Sequence, residues 1–370
     1  MGPQFGNDKL KYMKQKTGVL LSGFLFLAIT TWSQTQQDQN LKNQDSLVIS
    51  SAAQEKFNEA IGAFETQDFA SSITAFSEAI VLAPQFAKAY LNRGYAYLEM
   101  KNTSNAKADF LQVINIDKTA HQAFFELGII AQTENNNTEA MDSYSKAIEL
   151  NATEAKYFYQ RAVLYFGQKE LTSAKNDLDA AIALKKEYAF ALNDRGSVYR
   201  EMGDLPNAIK DYQAATVADS KLTIAFNNLG SVYRKSGEYD KAIKAHSDAI
   251  SLDSKFYLAY NNRGFAKFSK GDFQGAINDF NITIELKSDY AFAYNNLASA
   301  YIKLEKYEEA IQACGKAIEL DANYGYAFLN RGIAFEMLRN VENACSDWNK
   351  AVEFGIESAA VFIKNSVCSN

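Results

Sequence analysis

The sequence is short of the residues that interrupt helices. It has 3 Pro and 19 Gly in 370 residues, so the punctuated loops of an all-β protein have no source and helix is the expected state. Chemistry-bearing residues are also scarce. The chain has 2 His, and His121 and His246 are too far apart in sequence to share a local metal motif or triad. It lacks a glycine-rich phosphate loop ending in Lys, and it lacks H-E-x-x-H. The expectation is a protein that is not an enzyme and needs no cofactor or metal. An enzymatic or small-ligand reading would need Asp, Glu, Tyr and Lys gathered in one groove, and no such constellation is visible. Positive charge is lacking too: the net charge is -6. Residues 1–33 hold four Lys against one Asp, which leaves 34 basic and 43 acidic residues in the remainder. A nucleic-acid partner is therefore not expected, because phosphate binding needs a basic face.

Apolar material is plentiful, at 47% hydrophobic and 13% aromatic residues, enough for a continuous core. The one long apolar run lies near the start, where Lys14 and Lys16 precede an uncharged stretch from Thr17 to Trp32. This is the layout of an export signal, with Met13 as the natural start and cleavage expected near Ser33. At 16 residues the run is shorter than the roughly 20 that a membrane-spanning helix needs. An exported protein of the periplasm, the cell envelope or the medium is expected, membrane-anchored only if the segment stays uncleaved. Residues 34–52 are rich in Gln, Asn, Asp and Ser and lack an aromatic, as in a flexible linker.

From Ala53 to Ser358 the chain repeats with a period of 34 residues and no insertion or deletion. The nine units are 53–86, 87–120, 121–154, 155–188, 189–222, 223–256, 257–290, 291–324 and 325–358. The eighth place holds only Ala or Gly (Ala60, Gly94, Gly128, Ala162, Gly196, Gly230, Gly264, Ala298, Gly332), and the twentieth is Ser72 and then Ala from Ala106 to Ala344. Small residues at fixed places mark close approach of two helices. Large residues recur between them at helical spacing, as in Phe226, Leu229 and Tyr233, then Ile243 and Ile250, so each unit reads as two amphipathic helices. Gly203, Gly237 and Gly271 fall between the halves, where a left-handed helix stop is wanted, and Pro206 falls at the start of a second helix.

This pattern resembles the tetratricopeptide-repeat family over residues 53–358. It departs from the family pattern where Arg93, Arg161, Arg195, Arg263 and Arg331 replace the usual Leu, and where only Pro84 is kept at the turn. The resemblance implies an all-α fold: a right-handed superhelical α-solenoid of nine tandem helix-turn-helix repeats, with residues 359–370 as a C-terminal capping helix. It also implies a protein or peptide partner, held in a concave groove lined by the second, fifth, sixth, ninth, twelfth and thirteenth places.

Asn92, Asn228, Asn262, Asn296 and Asn330 share the sixth place, joined by Asp194, and Asn193, Asn227, Asn261 and Asn295 share the fifth. A ladder of amides could pair with a peptide backbone while leaving its side chains unread. It is similar to the asparagine ladder in the repeat region of O-linked N-acetylglucosamine transferases. Phe190, Phe265, Phe268, Phe292 and Tyr326 are candidate apolar anchors on the same face, with core packing as the alternative. A spacer or assembly subunit of an envelope complex, using the outer face, is the competing reading. The 3 Cys all fall near the C-terminus. Cys345 and Cys368 flank Gly355 so that a hairpin could join them, and a disulfide tying down the cap is expected in an oxidising compartment. Cys314 is expected to be buried packing.

Overall fold

The computed structural model describes residues 49–365 and 368. The expected signal, 1–33, and all but the last residues of the expected linker lie outside the described residues. Every element among them is helical, and no strand occurs.

The chain divides into two compact units at Leu164 and Tyr165. The first contains α1 (Ser51–Glu65), α2 (Phe69–Leu82), α3 (Ala87–Glu99), α4 (Thr103–Ile116), α5 (His121–Thr133), α6 (Asn137–Leu150) and most of α7 (Ala155–Gly167). The second contains α8 (Leu171–Leu184), α9 (Ala189–Glu201), α10 (Leu205–Ala218), α11 (Thr223–Lys235), α12 (Tyr239–Leu252), α13 (Tyr257–Lys270), α14 (Phe273–Leu286), α15 (Ala291–Lys303), α16 (Tyr307–Leu320), α17 (Gly325–Met337), α18 (Val341–Glu353) and α19 (Ala359–Asn365). Odd-numbered helices from α1 to α17 open a repeat and even-numbered ones close it. Within each unit the opening helices pack on their closing helices, and the closing helices pack on the opening ones that follow. This is the stacking that lets a hairpin with one apolar face bury it against a neighbour.

α1 begins two residues before the expected repeat boundary, because the Ser50 hydroxyl accepts from the Ala53 amide and caps the helix there. Ser51 and Ala52 are thus helix and not linker. The turn between the halves has one solution. The fifteenth residue is left-handed in all nine repeats: Gly203, Gly237 and Gly271 at φ 82°, 78° and 95°, but also Gln67, Lys101, Asn135, Lys169, Glu305 and Arg339 at φ 57° to 63°. In six repeats Asp or Asn at the next place then caps the closing helix, as when Asp272 accepts from Gly275 N at 2.8 Å. Six repeats tolerate a side chain where glycine costs least.

The core follows the small-residue columns. A methyl group on Gly94 would come within 2.6 Å of the Phe110 ring, one on Gly128 within 2.5 Å of Tyr144, and one on Gly332 within 2.5 Å of Trp348. The eighth place of the opening helix therefore lies flat against the ring at the twenty-fourth place of the closing helix. Where the eighth place is alanine in Ala298, the partner is the smaller Cys314, both buried. The Cys314 thiol is fully enclosed, and burial pushes its pKa up.

Candidate functional site

The second, fifth or sixth, ninth and twelfth places of an opening helix are three or four residues apart and share a face. In the second unit α9 touches α11, α11 touches α13, α13 touches α15 and α15 touches α17, and no successive closing helices approach as closely. The opening helices thus form the tighter, inner side of this unit.

The amide columns lie on that side, but their hydrogen bonds run between repeats. Asn228 Nδ2 donates to Asn193 Oδ1 at 2.9 Å, Asn262 to Asn227 at 3.1 Å, Asn296 to Asn261 at 3.1 Å and Asn330 to Asn295 at 2.8 Å. Each sixth-place amide reaches back to the fifth-place carbonyl of the preceding repeat. The fifth-place residues are buried, as is Asn228, whereas Asn262, Asn296 and Asn330 are half-buried. The expectation that all these amides face a ligand is corrected for Asn193, Asn227, Asn228, Asn261 and Asn295, because adjacent opening helices close over them. Asn92 donates to Lys88 O in its own helix at 2.8 Å and joins no ladder. Asp194 accepts from Asn193 at 2.9 Å.

His246 extends the ladder into the core. Its Nδ1 lies 3.0 Å from Asn227 Oδ1, which already accepts from Asn262. An amide oxygen can only accept, so Nδ1 carries the proton and Nε2 is bare. Nε2 has no partner in this buried site. Burial first, then Arg234 and Arg263, lowers the His246 pKa from 6.5 to about 3, and the ring is neutral.

The arginines that break the sequence pattern are also structural. Arg93 donates through Nε and Nη2 to Asp109 at 2.9 and 2.7 Å, and through Nη1 to Ser77 Oγ at 2.9 Å. One side chain thereby joins α3, α4 and α2. Arg263 repeats this with Asp279 and Ser247, Arg195 with Asp211 and Asp179, and Arg331 grips Asp347 at 2.7 and 2.8 Å. The carboxylate raises each arginine's pKa against a smaller opposing effect of burial. The signal was present in the sequence. Repeats with Arg at the seventh place have Asp at the twenty-third (Asp109, Asp177, Asp211, Asp279, Asp347), and the four with Leu or Glu have Ala75, Ser143, Ala245 and Ala313.

With amides and arginines occupied, the inner side offers side chains at the second place. Phe190, Ile224, Leu258, Phe292 and Tyr326 form an apolar column through five repeats, each half-buried. Phe292 stacks on Tyr290 and Tyr324 with ring centres 5.4 and 5.0 Å away, which fixes its position. Phe265 and Phe268 pack against the core around Leu297 and Ala300, with part of each ring left exposed. At the other end of the inner side stand Arg200, Arg234 and Lys235, which the sequence reading passed over because they close helices where cations are ordinary.

In the first unit the sixth place of α5 is Glu126, 8% exposed. Burial raises its pKa from 4.5 to about 7, opposed by the charge of Lys156 and a hydrogen bond from Tyr95. Beside it His121 Nδ1 donates to Tyr157 Oη at 2.7 Å, while Asn151 Nδ2 donates to His121 Nε2 at 3.3 Å. Burial lowers the His121 pKa.

At the C-terminus Cys345 of α18 and Cys368 form a disulfide with Cα atoms 5.5 Å apart. Gly355, at φ 83°, turns the chain between α18 and α19, and Phe362 of α19 packs on Trp348.

Comparison with known proteins places this geometry. Tetratricopeptide-repeat models match residues 291–324, 87–119 and 121–154, and a TPR-repeat model matches 196–237 and 230–271. Tetratricopeptide repeat protein 36 of Xenopus tropicalis is 32% identical over 100 residues, 26% of this chain and 50% of that protein. The chain thus spans about half the length of the curated relative it matches. A solved tetratricopeptide repeat protein from Parabacteroides merdae aligns with a TM-score of 0.51 at 18% identity, over 70% of this chain and 98% of its own. The Cut9-Hcn1 hetero-tetramer of the APC/C aligns with a TM-score of 0.52 at 14% identity, over 85% of this chain and 76% of the matched one. At these identities the structural likeness speaks to fold. The chain carries tetratricopeptide repeats, and its consecutive helix pairs pack as in a tetratricopeptide-repeat solenoid.

Proposed function

We propose that this protein is a non-enzymatic binding scaffold, and that its second unit holds an extended segment of a partner protein against the inner side of α9, α11, α13, α15 and α17. The observation that carries this reading is the apolar column Phe190, Ile224, Leu258, Phe292 and Tyr326, part-exposed on the side where the opening helices converge. Half-exposed apolar groups at a regular interval suit alternate side chains of an extended chain. Asn296 and Asn330 each give an N–H to a repeat joint and keep a carbonyl oxygen for a ligand's N–H. The proposal includes export, with residues 1–33 as a signal. The Cys345–Cys368 disulfide supports an oxidising compartment.

The test is a crosslinking pull-down from cell-envelope extract with three proteins: wild type, Ile224→Gln/Leu258→Gln/Tyr326→Gln, and Val217→Gln. Val217 is 84% exposed on a closing helix, so it reports on the outer face. A partner lost from the triple variant and kept by Val217→Gln supports the groove. The reverse pattern supports the spacer reading. Alanines at Asn228, Asn262 and Asn296 would be a poor test, because they remove three repeat joints as well as any ligand contact.

A further inference from the structure

Arg93, Arg195, Arg263 and Arg331 have a structural role as repeat joints; Arg234 does not. Its guanidinium carbon lies 4.2 Å from the centre of the Phe265 ring, and no carboxylate among the described residues forms a salt bridge with it. Arg200 occupies the same place one repeat earlier and donates from Nη2 to Glu201 Oε1 at 2.9 Å. Lys235 follows Arg234, and its charged neighbours are Arg200, Glu201 and Arg234. Three cations therefore face one carboxylate at the adjoining ends of α9 and α11, in a chain whose net charge is -6.

A last-turn cation gains from the helix dipole, but that gain is available with the side chain extended into water. Here Arg234 is instead half-buried against an aromatic ring, where burial depresses the pKa of both Arg234 and Lys235. The feature is also local. The twelfth place elsewhere holds Phe64, Leu98, Gln132, Phe166, Phe268, Ile302 and Glu336, so the cations belong to these two repeats and not to the repeat pattern.

We propose that Arg234, Lys235 and Arg200 form a carboxylate-binding subsite on the inner side of the second unit, and that it takes an aspartate or glutamate side chain within the partner's extended segment. A guanidinium held on a ring presents its N–H edge for paired hydrogen bonds to a carboxylate, and Lys235 adds a point charge. Phe265 and Phe268 give an apolar wall beside it, so the preferred segment has an acidic residue next to an apolar one. The inference rests on the groove reading and adds a charge requirement to it.

The experiment is selection from a phage-displayed library of about twelve-residue random peptides, each fused at its C-terminus so that only internal carboxylates are offered. The baits are the full wild-type chain, Arg234→Gln/Lys235→Gln and Phe292→Ala/Tyr326→Ala. Asp and Glu should be enriched about threefold or more over the starting library by wild type and return to the library level with the Arg234/Lys235 variant. Enrichment of apolar residues alone would overturn the subsite and leave the groove standing. Unchanged acidic enrichment in the Arg234/Lys235 variant would place the carboxylate elsewhere and overturn the assignment, and no enrichment with any bait would overturn both readings. If that variant does not fold, one selected peptide and its Glu→Gln form decide the matter on wild type. About tenfold weaker binding of the neutral peptide is expected, and equal binding refutes the subsite.

Discussion

At the scale of single residues the controlling fact is contact between the eighth and twenty-fourth places. Adding a methyl group at Gly94 presses on the Phe110 ring at 2.6 Å, and overpacking of this kind costs about 1–3 kcal/mol. Gly94→Ala should therefore lower the urea midpoint. In a double-mutant cycle, Phe110→Leu should cost at least about 1 kcal/mol less in the Gly94→Ala background than alone. Additive losses would show that the two places do not share one volume. Nature has made this exchange at Ala298 with Cys314, while Ala60 with Phe76 shows that the first repeat accommodates both. The Gly/Ala column was legible because it repeats nine times. Its partner was not, because a periodicity search reads each column alone and volume complementarity belongs to a pair of columns.

At the scale of the helix pair, Arg93 and Asp109 form a buried joint with an apolar counterpart in the same molecule, Leu229 with Ala245. Arg93→Leu leaves the Asp109 carboxylate 5% exposed without its partner, at a cost of about 3–5 kcal/mol. Arg93→Leu/Asp109→Ala should recover most of that loss in thermal unfolding. A double variant as unstable as the single one would mean that shape, and not the stranded charge, controls the joint. The amide ladder teaches a related lesson. Sequence grouped Asn228, Asn262, Asn296 and Asn330 in one column but assigned their amides to a ligand, because it carries no measure of how closely consecutive opening helices approach. With the fifth-place carbonyls of the preceding repeat 2.8–3.1 Å away, the donors were already taken. The turn chemistry was likewise half legible: three glycines marked it, and six other residues adopt the same left-handed turn, four of them followed by an Asp or Asn that caps the closing helix.

At the scale of the whole molecule, repeats couple mainly to their neighbours, so buried titrating groups should act locally and with opposite signs. The His246 pKa is lowered from 6.5 to about 3; its stabilising contribution is complete above about pH 6.5 and is lost as pH falls toward 3. The Glu126 pKa is raised from 4.5 to about 7; its contribution is complete below about pH 4.5 and is lost as pH rises through 7. Between pH 7 and pH 5, amides of α11 and α12 should lose hydrogen-exchange protection while those of α5 gain it, after correction for intrinsic exchange. The slopes are at most about 1.4 kcal/mol per pH unit. His246→Phe should flatten the first trend and Glu126→Gln the second, and parallel changes in both regions would refute local control. The ladder's uniform joint carries a consequence for evolution of length. Asn296 would meet in Asn227 the same kind of acceptor that it now finds in Asn261, so excision of residues 257–290 restores the amide joint. Duplication or loss of a unit in this stretch would change the span of the array without a new interface having to arise.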